Sequence, residues 1–526
     1  MERSAEALKA LLCDFSQSES KYRAVLQEYV CVRFGLDNES EENIGALAIL
    51  SIRKQYPDMQ KEEAAKRLGN YDCHRITYAV QKKILMLMEL EKITDTHIPD
   101  DAEDTASVAS YIYSHIRRKR RLAMFDSMSF RAAFSSVINS DFVYFDNAAT
   151  AQKPDCMVKA LSDYYGSALG SAGRGQNPLS EKASAAYAAA RRSVMRFIGA
   201  AKPSEIIFTT GATDSLNMLA ASYRRRLTKK SNIVISALEH NANYLPWKNA
   251  CEEAGAELRI IELLADGSLD MDAARRLIDE NTLMLSVTAA SNLTGRLTDV
   301  RALCDMAHEA GAAAAVDASQ YVPHIAPDVN VFDCDYLVFS AHKVYGSEGL
   351  GVLYCRESLL DTLAPFRYGG GMAEEHGGNI IPLPSPERFE AGTHHVAGAV
   401  AFAATLDFLS GFDAGEKLAY TRSLSDYVYS SLSAGRGINF IGHLRENLPV
   451  LSLTFEGVSP SDIDLMLSMR GFCLRSGKHC AFLPVSRLAA GGTLRISIAP
   501  YNTPDEAERL VFAITEAKEY LLRKKI

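Results

Sequence analysis

The alternation of short apolar runs with helical patterns, which begins near Phe142, is the feature that most constrains the fold of this chain. A stretch over 298–309, closed by Gly311, has helical spacing and lies between two such runs. Strand–helix alternation of this kind predicts a largely parallel sheet covered by helices on both faces, with ligands bound at the carboxyl ends of the strands. Strands are predicted over 206–209, 233–236, 283–288, 313–316, 336–339 and 351–354.

Two segments with a different pattern of apolar residues flank this region. The N-terminal residues have apolar positions at helical spacing, as in Leu8, Leu11 and Phe15, which predicts an all-α domain. The C-terminal segment mixes helices with strands predicted over 450–455 and 494–499, which is typical of a small α+β domain. Three domains are therefore predicted: a helical extension over 1–121, a large domain over 122–395 and a small domain over 396–526.

Charge and cysteine usage narrow the classes of function. The chain has 57 basic and 65 acidic residues, a formal charge of −8, so it lacks a basic field for a nucleic acid or an anionic membrane. Its ten cysteines include no Cys-x-x-Cys pair, so we expect neither a metal site nor a redox dithiol. The N-terminus has no apolar signal region, and the most apolar stretch, 399–409, is too short to span a bilayer. These features predict a cytoplasmic protein that acts on small molecules.

Three polar clusters follow predicted strands. Lys343 comes directly after an apolar run, where low-dielectric surroundings can depress its pKa as a Schiff-base lysine requires. Asp317 ends an alanine-rich run, and a carboxylate there can keep a pyridine nitrogen protonated. The turn Gly211-Ala212-Thr213 can present backbone N–H groups to an anion such as a phosphate. Taken singly, each cluster fits an ordinary alternative: a surface lysine, a helix N-cap or a plain glycine turn.

In this order, the clusters resemble the pyridoxal 5′-phosphate enzymes of the class V aminotransferase family, fold type I, and most closely the SUF-type (group II) cysteine desulfurases. The resemblance implies an α/β fold: a large, mainly parallel α/β/α domain with a small α+β C-terminal domain, preceded here by an unusual helical extension. The motifs that carry it are Tyr144-Phe145-Asp146-Asn147-Ala148-Ala149-Thr150, Gln152-Lys153-Pro154, Glu239-His240-Asn241-Ala242-Asn243, Ser291-Asn292, His342-Lys343, Arg388-Phe389-Glu390-Ala391-Gly392-Thr393, Arg475-Ser476-Gly477-Lys478-His479-Cys480-Ala481 and Tyr501-Asn502-Thr503.

The resemblance implies a role in cofactor binding for particular residues. Lys343 would bind the cofactor covalently and later act as acid and base at the substrate α-carbon. Asp317 would pair with the pyridine nitrogen and Gln320 with the phenolic oxygen, while His240 would stack on the ring and carry a proton. The phosphate would be held by Ala212, Thr213, Ser340 and His342, together with Thr393 from the neighbouring subunit of a two-fold homodimer.

The reaction implied by the resemblance converts L-cysteine to L-alanine. Asn292 and Arg495 would hold the substrate carboxylate, because arginine grips a carboxylate through two hydrogen bonds, and Arg475 would also bind substrate. The thiolate of Cys480 would attack the substrate sulfur and carry it as a persulfide. Iron–sulfur cluster assembly is one destination, and the expected partner is a sulfur-acceptor protein of the SufE or SufU type or a carrier protein.

The cysteines are expected to differ in reactivity. Arg475, Lys478 and His479 would supply positive charge that lowers the pKa of the neighbouring Cys480 thiol. By contrast, Cys251 and Cys304 lie in helical apolar patterns, where inert core thiols are expected.

Other functions remain open from the sequence. Lys478 and Gly173 stand where these desulfurases more often have histidine, which bears on substrate or acceptor preference. A sibling enzyme, such as a selenocysteine lyase, another C–S lyase or an epimerase, would share the cofactor motifs. A different alternative is a scaffold whose helical extension docks a carrier or acceptor. Residues 90–112 faintly resemble the last helices of an acyl carrier protein, although Asp72-Cys73-His74 lacks the attachment serine.

Overall fold

The computed structural model describes Ala24 and residues 125–524, apart from 169, 174, 176 and 490. The chain divides into two units, Met1–Met124 and Phe125–Ile526, and the architecture given below is that of the second. Apart from Ala24, the helical domain predicted over 1–121 lies outside the described residues and stays a prediction.

The strands and helices of this unit, in chain order, have the following bounds. The strands are β1 Val143–Tyr144, β2 Ile206–Thr209, β3 Asn232–Ser236, β4 Glu257–Ile261, β5 Thr282–Thr288, β6 Ala313–Asp317, β7 Tyr336–Ser340, β8 Gly351–Cys355, β9 Ala373–His376, β10 Asn379–Pro382, β11 Ile438–Phe440, β12 Val450–Phe455, β13 Phe472–Cys473, β14 Arg475–Gly477 and β15 Thr493–Ser497. The helices are α1 Ser127–Ala132, α2 Ser135–Ile138, α3 Asp155–Gly166, α4 Pro178–Phe197, α5 Ala212–Arg224, α6 Asn241–Ala254, α7 Met271–Leu277, α8 Val300–Glu309, α9 Val329–Phe332, α10 Val396–Ser410, α11 Ala414–Ser433, α12 Pro460–Ser468, α13 Phe482–Leu488 and α14 Pro504–Arg523.

A seven-stranded sheet forms the larger half, in the order β2-β8-β7-β6-β5-β3-β4. Its strands are parallel from β4 to β7, and β8 is antiparallel to both of its neighbours. All six predicted strands are confirmed to within one residue at either end, because buried strands of a parallel sheet read as continuous apolar runs. The prediction missed β4, an edge strand that is only partly buried and carries Glu257 and Arg259.

A smaller antiparallel sheet lies in the C-terminal part, in the order β11-β12-β15-β14. Although it comes first in the chain, β1 pairs in parallel with β13 of the C-terminal segment. The chain then runs alongside β15, where Asp146 forms a parallel bridge with Ser497. Residues just after β1 therefore reach the small sheet before the chain enters the large half.

Packing of α10 explains why this helix is apolar on nearly all sides. It carries the buried residues Val396, Phe402 and Leu406, which belong to the same core cluster as Val194 of α4 and Ile198. A helix that is apolar all round is typical of a core position. Within the described part of the chain, no single helix is long and apolar enough to cross a membrane, and the one pair that meets the test together, α10 with α11, is bent by 84°.

Glu390 anchors one of the sequence motifs in the core. Its carboxylate accepts hydrogen bonds from both terminal nitrogens of Arg191 (2.7 and 2.8 Å), from the Tyr187 hydroxyl (2.9 Å) and from the Phe208 backbone N–H (2.6 Å). Both members of the ion pair are buried, with side chains only 7% and 3% exposed. The motif that ends at Thr393 is thereby fixed to α4 and β2.

Removal of this charge should destabilise the protein strongly. Glu390→Gln leaves the buried Arg191 guanidinium without its counter-ion, so we expect a loss of about 3–5 kcal/mol in the free energy of unfolding, measured by urea denaturation. Asp163→Asn is the matched control, because Asp163 pairs with Lys159 at 2.6 Å on the exposed face of α3 and exposed pairs contribute little. Equal stability of the two variants would contradict the prediction.

Candidate active site

The carboxyl ends of several parallel strands open onto one cavity of about 280 Å³. Cavities for small-molecule ligands begin at about this size. Of the predicted site residues, only Thr393 does not line it; Thr393 is exposed. Those that line it are Ala212, Thr213, His240, Asn292, Asp317, Gln320, Ser340, His342, Lys343, Arg475, Cys480 and Arg495.

Lys343 ends a 3-10 turn, Ala341–Lys343, that directly follows β7. Burial lowers the pKa of its ammonium group to about 8, and the nearby Asp317 carboxylate opposes that shift. At neutral pH about one molecule in ten therefore carries the free amine, far more than for an ordinary lysine. A lysine in this location can supply the amine that a Schiff base requires.

A second lysine, which sequence reasoning passed over, secures this turn. The Lys153 ammonium donates to the carbonyl oxygens of Ala151 (2.7 Å) and His342 (2.9 Å). The His342 carbonyl also accepts from the Ala151 backbone N–H at 3.2 Å. Burial lowers the pKa of Lys153 to about 8. These bonds fix the residue that immediately precedes Lys343, and the Gln152-Lys153-Pro154 motif was the signal for them.

Asp317 ends β6 and leaves part of its carboxylate available to a ligand. Its Oδ1 accepts the Ser319 backbone N–H at 3.0 Å. Gln320 donates from Nε2 to the Ala148 carbonyl at 2.7 Å, which orients the amide beside the cavity. The Ser319 hydroxyl is buried and has no partner within the described residues, so a polar ligand can bind there.

The N-terminus of α5 forms one wall of the cavity. Ser340 accepts the Ala212 backbone N–H at 2.8 Å, which joins the end of β7 to the start of this helix. His342 shares a hydrogen bond of 3.1 Å with the Thr150 hydroxyl, and burial lowers the His342 pKa to about 4. The positive end of a helix dipole together with hydroxyl and imidazole groups is suited to an anion.

His240 caps α6 and projects beside the cavity. Its Nδ1 accepts the Ala242 backbone N–H at 3.1 Å, and burial lowers its pKa to about 4. The imidazole is therefore neutral at physiological pH. Because Nδ1 is the acceptor, the ring proton resides on Nε2. His240 thus presents a hydrogen-bond donor to the cavity.

Cys480 lies in a tight loop between β14 and α13. Both His479 and Cys480 have left-handed backbone angles, with φ of +52° and +50°. Two asparagines hold the loop: Asn241 N–H donates to the Cys480 carbonyl (2.7 Å), and Asn292 Nδ2 donates to the His479 carbonyl (2.8 Å). Cys480 itself is exposed, so its thiol is accessible to substrate and to a second molecule.

One expectation about the charge near Cys480 is wrong. His479 is buried and bonds Thr493 Oγ1 through Nε2 at 2.9 Å, and burial lowers its pKa to about 3, so it carries no positive charge at neutral pH. Lys478 is exposed and is not among the residues that line the cavity. Arg475 lines the cavity and is the cation that remains beside the thiol.

The two cysteines predicted to be inert are confirmed as core thiols. Cys251 and Cys304 are both buried, and burial raises their pKa values to about 11 and about 12. Neither side chain can ionise readily at neutral pH.

Asp146 is the residue at the site to which sequence reasoning gave no role. Its carboxylate lies between Arg495 and Arg475, with N–O distances of 2.9 and 3.0 Å. Arg495 also donates to the Asn292 carbonyl at 3.1 Å, and its buried Nε has no partner within the described residues. The Tyr144-to-Thr150 motif contains Asp146, but its arginine partners lie more than 300 residues later in the chain.

The donor set of the cavity fits pyridoxal 5′-phosphate. A lysine of low pKa can bond to an aldehyde, Asp317 can pair with a ring nitrogen, and the start of α5 can hold a phosphate. Ser319 Oγ and Arg495 Nε, both buried without partners in the described residues, provide further polar contacts for a bound molecule.

Comparison with known proteins identifies close relatives. The class-V aminotransferase model matches residues 143–510. A probable cysteine desulfurase of Vibrio cholerae is 36% identical over 394 residues, covering 74% of this chain and 97% of the relative. The crystal structure of the Escherichia coli cysteine desulfurase CsdA, in its S-sulfonic acid form, superposes with a TM-score of 0.71 at 34% identity, covering 75% of this chain and 99% of CsdA. A cysteine desulfurase structure from Thermococcus onnurineus has a TM-score of 0.70 at 32% identity, with coverage of 73% and 96%.

The pKa of Lys343 predicts how its reactivity depends on pH. Because only the free amine reacts, labelling of Lys343 in the cofactor-free protein by a small amine-specific acylating reagent should rise about tenfold per pH unit and level off near pH 8. Lys202 is the matched control: a 2.6 Å bond to Glu357 raises its pKa, so its labelling should keep rising at higher pH. Peptide mass spectrometry measures both. Coincident profiles would contradict the effect of burial on Lys343.

Proposed function

This chain belongs to the class-V aminotransferase family and is a pyridoxal-phosphate-dependent cysteine desulfurase, and from this premise we propose which of its residues carry out the reaction with L-cysteine. The observation that carries the proposal is that Lys343, His240, Cys480 and Arg495 line a single cavity.

The cofactor is held, in this proposal, by groups at the strand ends. Lys343 would bind it covalently, Asp317 would pair with its ring nitrogen and Gln320 would contact its phenolic oxygen. Thr213 and Ser340, at the start of α5 and the end of β7, would hold its phosphate. When bound, the cofactor supplies an electron sink for the α-carbon of the substrate.

Proton transfer is assigned to Lys343 and His240. The lowered pKa of Lys343 gives its amine the free form that removes the α-proton, and the same amine can return a proton to carbon. The neutral His240 holds a proton on Nε2 at the cavity wall, where it can be donated. Both pKa shifts arise from burial, so the acid and base are prepared before the substrate binds.

Substrate orientation is assigned to Arg495 and Asn292. The unpartnered Nε of Arg495 is a donor suited to the substrate α-carboxylate. Asn292 contacts the Cys480 loop through one amide N–H at 2.8 Å, which leaves its second N–H for the same carboxylate. A substrate held there is held close to the thiol.

Cys480 performs the sulfur transfer. Its thiolate forms an S–S bond to the substrate sulfur while the substrate Cβ–S bond breaks, and the carbon skeleton takes up protons and leaves as L-alanine. The transferred sulfur then forms a persulfide on Cys480. The exposed position of Cys480 suits this role, because the persulfide must later be reached by an acceptor thiol.

The acceptor thiol, from a sulfur-acceptor protein of the SufE or SufU type or a carrier protein, approaches through a second cavity. This cavity, of about 570 Å³, lies between α5 and α6 and is lined by Leu245, Asn249 and Phe366 among others. Cys480 and His240 line both cavities, so the sulfur can be loaded from one side and removed from the other.

Substitution of the nucleophile tests the sulfur transfer. Cys480→Ala should lower sulfide release from L-cysteine at least about a hundredfold, because the covalent route is lost. Cys473→Ala is the matched control, because Cys473 is half-buried and burial raises the pKa of its thiol. This variant should retain the activity of the wild type. Mass spectrometry after incubation with L-cysteine should find one added sulfur atom on the Cys480 peptide of the wild type.

The same variants separate a desulfurase from a sibling lyase. If Cys480→Ala releases sulfide from L-cysteine at the wild-type rate, the persulfide route is wrong and a lyase is indicated. Comparison of L-cysteine with L-selenocysteine and cystine, in the wild type and in Cys480→Ala, shows which of these substrates needs the thiol.

A shared site in a homodimer is the final part of the proposal. Thr393 is exposed and does not line the cavity of its own chain, yet Glu390 fixes its segment firmly to the core. An exposed threonine three residues after this anchor can contact the phosphate bound by a neighbouring subunit, as the family resemblance implies.

Complementation tests the shared site. Thr393→Val and Lys343→Ala should each lower activity in pure form. A mixed dimer of the two variants should recover about half of the wild-type activity, because one of its two sites combines an intact Lys343 with an intact Thr393 of the other subunit. A monomeric protein that binds the cofactor with full affinity, or a mixture without recovery, would contradict the proposal.

A further inference from the structure

Two arginines face each other at the cavity, in an arrangement that needs a compensating charge. Arg475 and Arg495 are directly opposed residues of the antiparallel pair β14–β15. Like charges directly opposite each other in a sheet are destabilising. Arg495 is only 2% exposed, and burial lowers the pKa of its guanidinium below its usual value while Asp146 opposes the shift.

The Asp146 carboxylate supplies the compensating charge to both arginines at once. Its Oδ1 accepts from Arg495 Nη2 at 2.9 Å and its Oδ2 from Arg475 Nε at 3.0 Å. The backbone around it is anchored, because the Ser497 N–H donates to the Phe145 carbonyl (2.7 Å) and the Ala149 N–H donates to the Asp146 carbonyl (3.0 Å). The carboxylate is thus a fixed point against which the arginines are held.

The remaining contacts of Arg495 show how its guanidinium group is oriented. Nη1 donates to the Asn292 carbonyl at 3.1 Å and Nη2 to Asp146, whereas the buried Nε has no partner within the described residues. Two terminal nitrogens bound in different directions fix the plane of a guanidinium group. The Nε–H is left as a donor at the wall of the cavity that Arg495 lines.

We propose that Asp146 is a positioning residue that orients Arg495 toward the α-carboxylate of the substrate and holds Arg475 beside Cys480. This inference rests on the proposed role of Arg495 in carboxylate binding. Two guanidinium groups and one carboxylate leave one positive charge, which the substrate carboxylate neutralises. Because it fixes the direction of the Arg495 guanidinium group, Asp146 favours amino acids over amines that lack the carboxylate.

Two ligands that differ only in the carboxylate test this role. L-alanine and ethylamine are compared as inhibitors of L-cysteine turnover in the holoenzyme, together with kcat and KM for L-cysteine. Asp146→Asn should raise KM and the L-alanine inhibition constant about tenfold or more, the effect of a lost charge-assisted contact. The ethylamine inhibition constant and kcat should change little.

A second variant covers the case in which the first does not fold. Asp146→Glu keeps the negative charge, and so the balance with the arginines, but displaces the carboxylate by one methylene. It should show the same selective rise in KM and in the L-alanine constant, to a smaller extent. Asp464→Asn is the matched control: Asp464 accepts from Ser476 of β14 at 2.8 Å and has no ion pair with either arginine.

The outcomes separate this inference from the proposed function. Unchanged KM in both Asp146 variants, or equal weakening of L-alanine and ethylamine, would overturn the positioning role. Arg495→Lys tests the underlying premise: if it fails to weaken L-alanine relative to ethylamine, Arg495 does not bind the carboxylate. A selective loss in Arg495→Lys without one in the Asp146 variants rejects the role of Asp146 alone.

Discussion

Desolvation at the carboxyl edge of the large sheet is the constraint on which the rest of the site depends. Burial lowers the pKa values of Lys343 to about 8, of His240 and His342 to about 4 and of His479 to about 3. The imidazoles are therefore neutral, and Lys343 is close to its titration point. The fixed cations of the cavity are its arginines, so the proposed mechanism assigns recognition of a carboxylate and transfer of protons to different residues.

A short segment, 146–153, joins the two halves of the site. At its start, Asp146 bonds both arginines of the small sheet, and Asn147 Nδ2 donates to the Ser497 carbonyl at 2.7 Å. Further along, the Ala148 carbonyl accepts from Gln320, and Lys153 reaches the carbonyl of His342. Because only a few residues separate these contacts, a shift of the small sheet would be transmitted to the turn that carries Lys343. The geometry of substrate and cofactor binding is coupled by covalent continuity as well as by packing.

The sequence predicted the structure where a local residue pattern determines it. Buried strands produce continuous apolar runs, so six strands could be predicted, and the residues that follow the parallel ones converge because parallel strands end at one edge. The role of Asp146 was not predicted, because its partners come from β14 and β15, far along the chain. The expected charge on His479 was wrong because burial is a tertiary property: a histidine can be counted as a positive charge in the sequence but is neutral when it is enclosed. The edge strand β4 lacked the uninterrupted apolar run of its neighbours.

The loop of Cys480 shows how the thiol is held in position relative to the other groups that line the cavity. Left-handed backbone at His479 and Cys480 costs about 1–3 kcal/mol for each residue, so the surrounding structure must stabilise it. The bonds that do so come from Asn241, which follows His240, and from Asn292, whose own carbonyl accepts from Arg495. The strained loop is thus held by residues that adjoin His240 and Arg495. The position of the Cys480 thiol is therefore tied to the part of the cavity in which the proposed proton carrier and the proposed carboxylate-binding arginine lie.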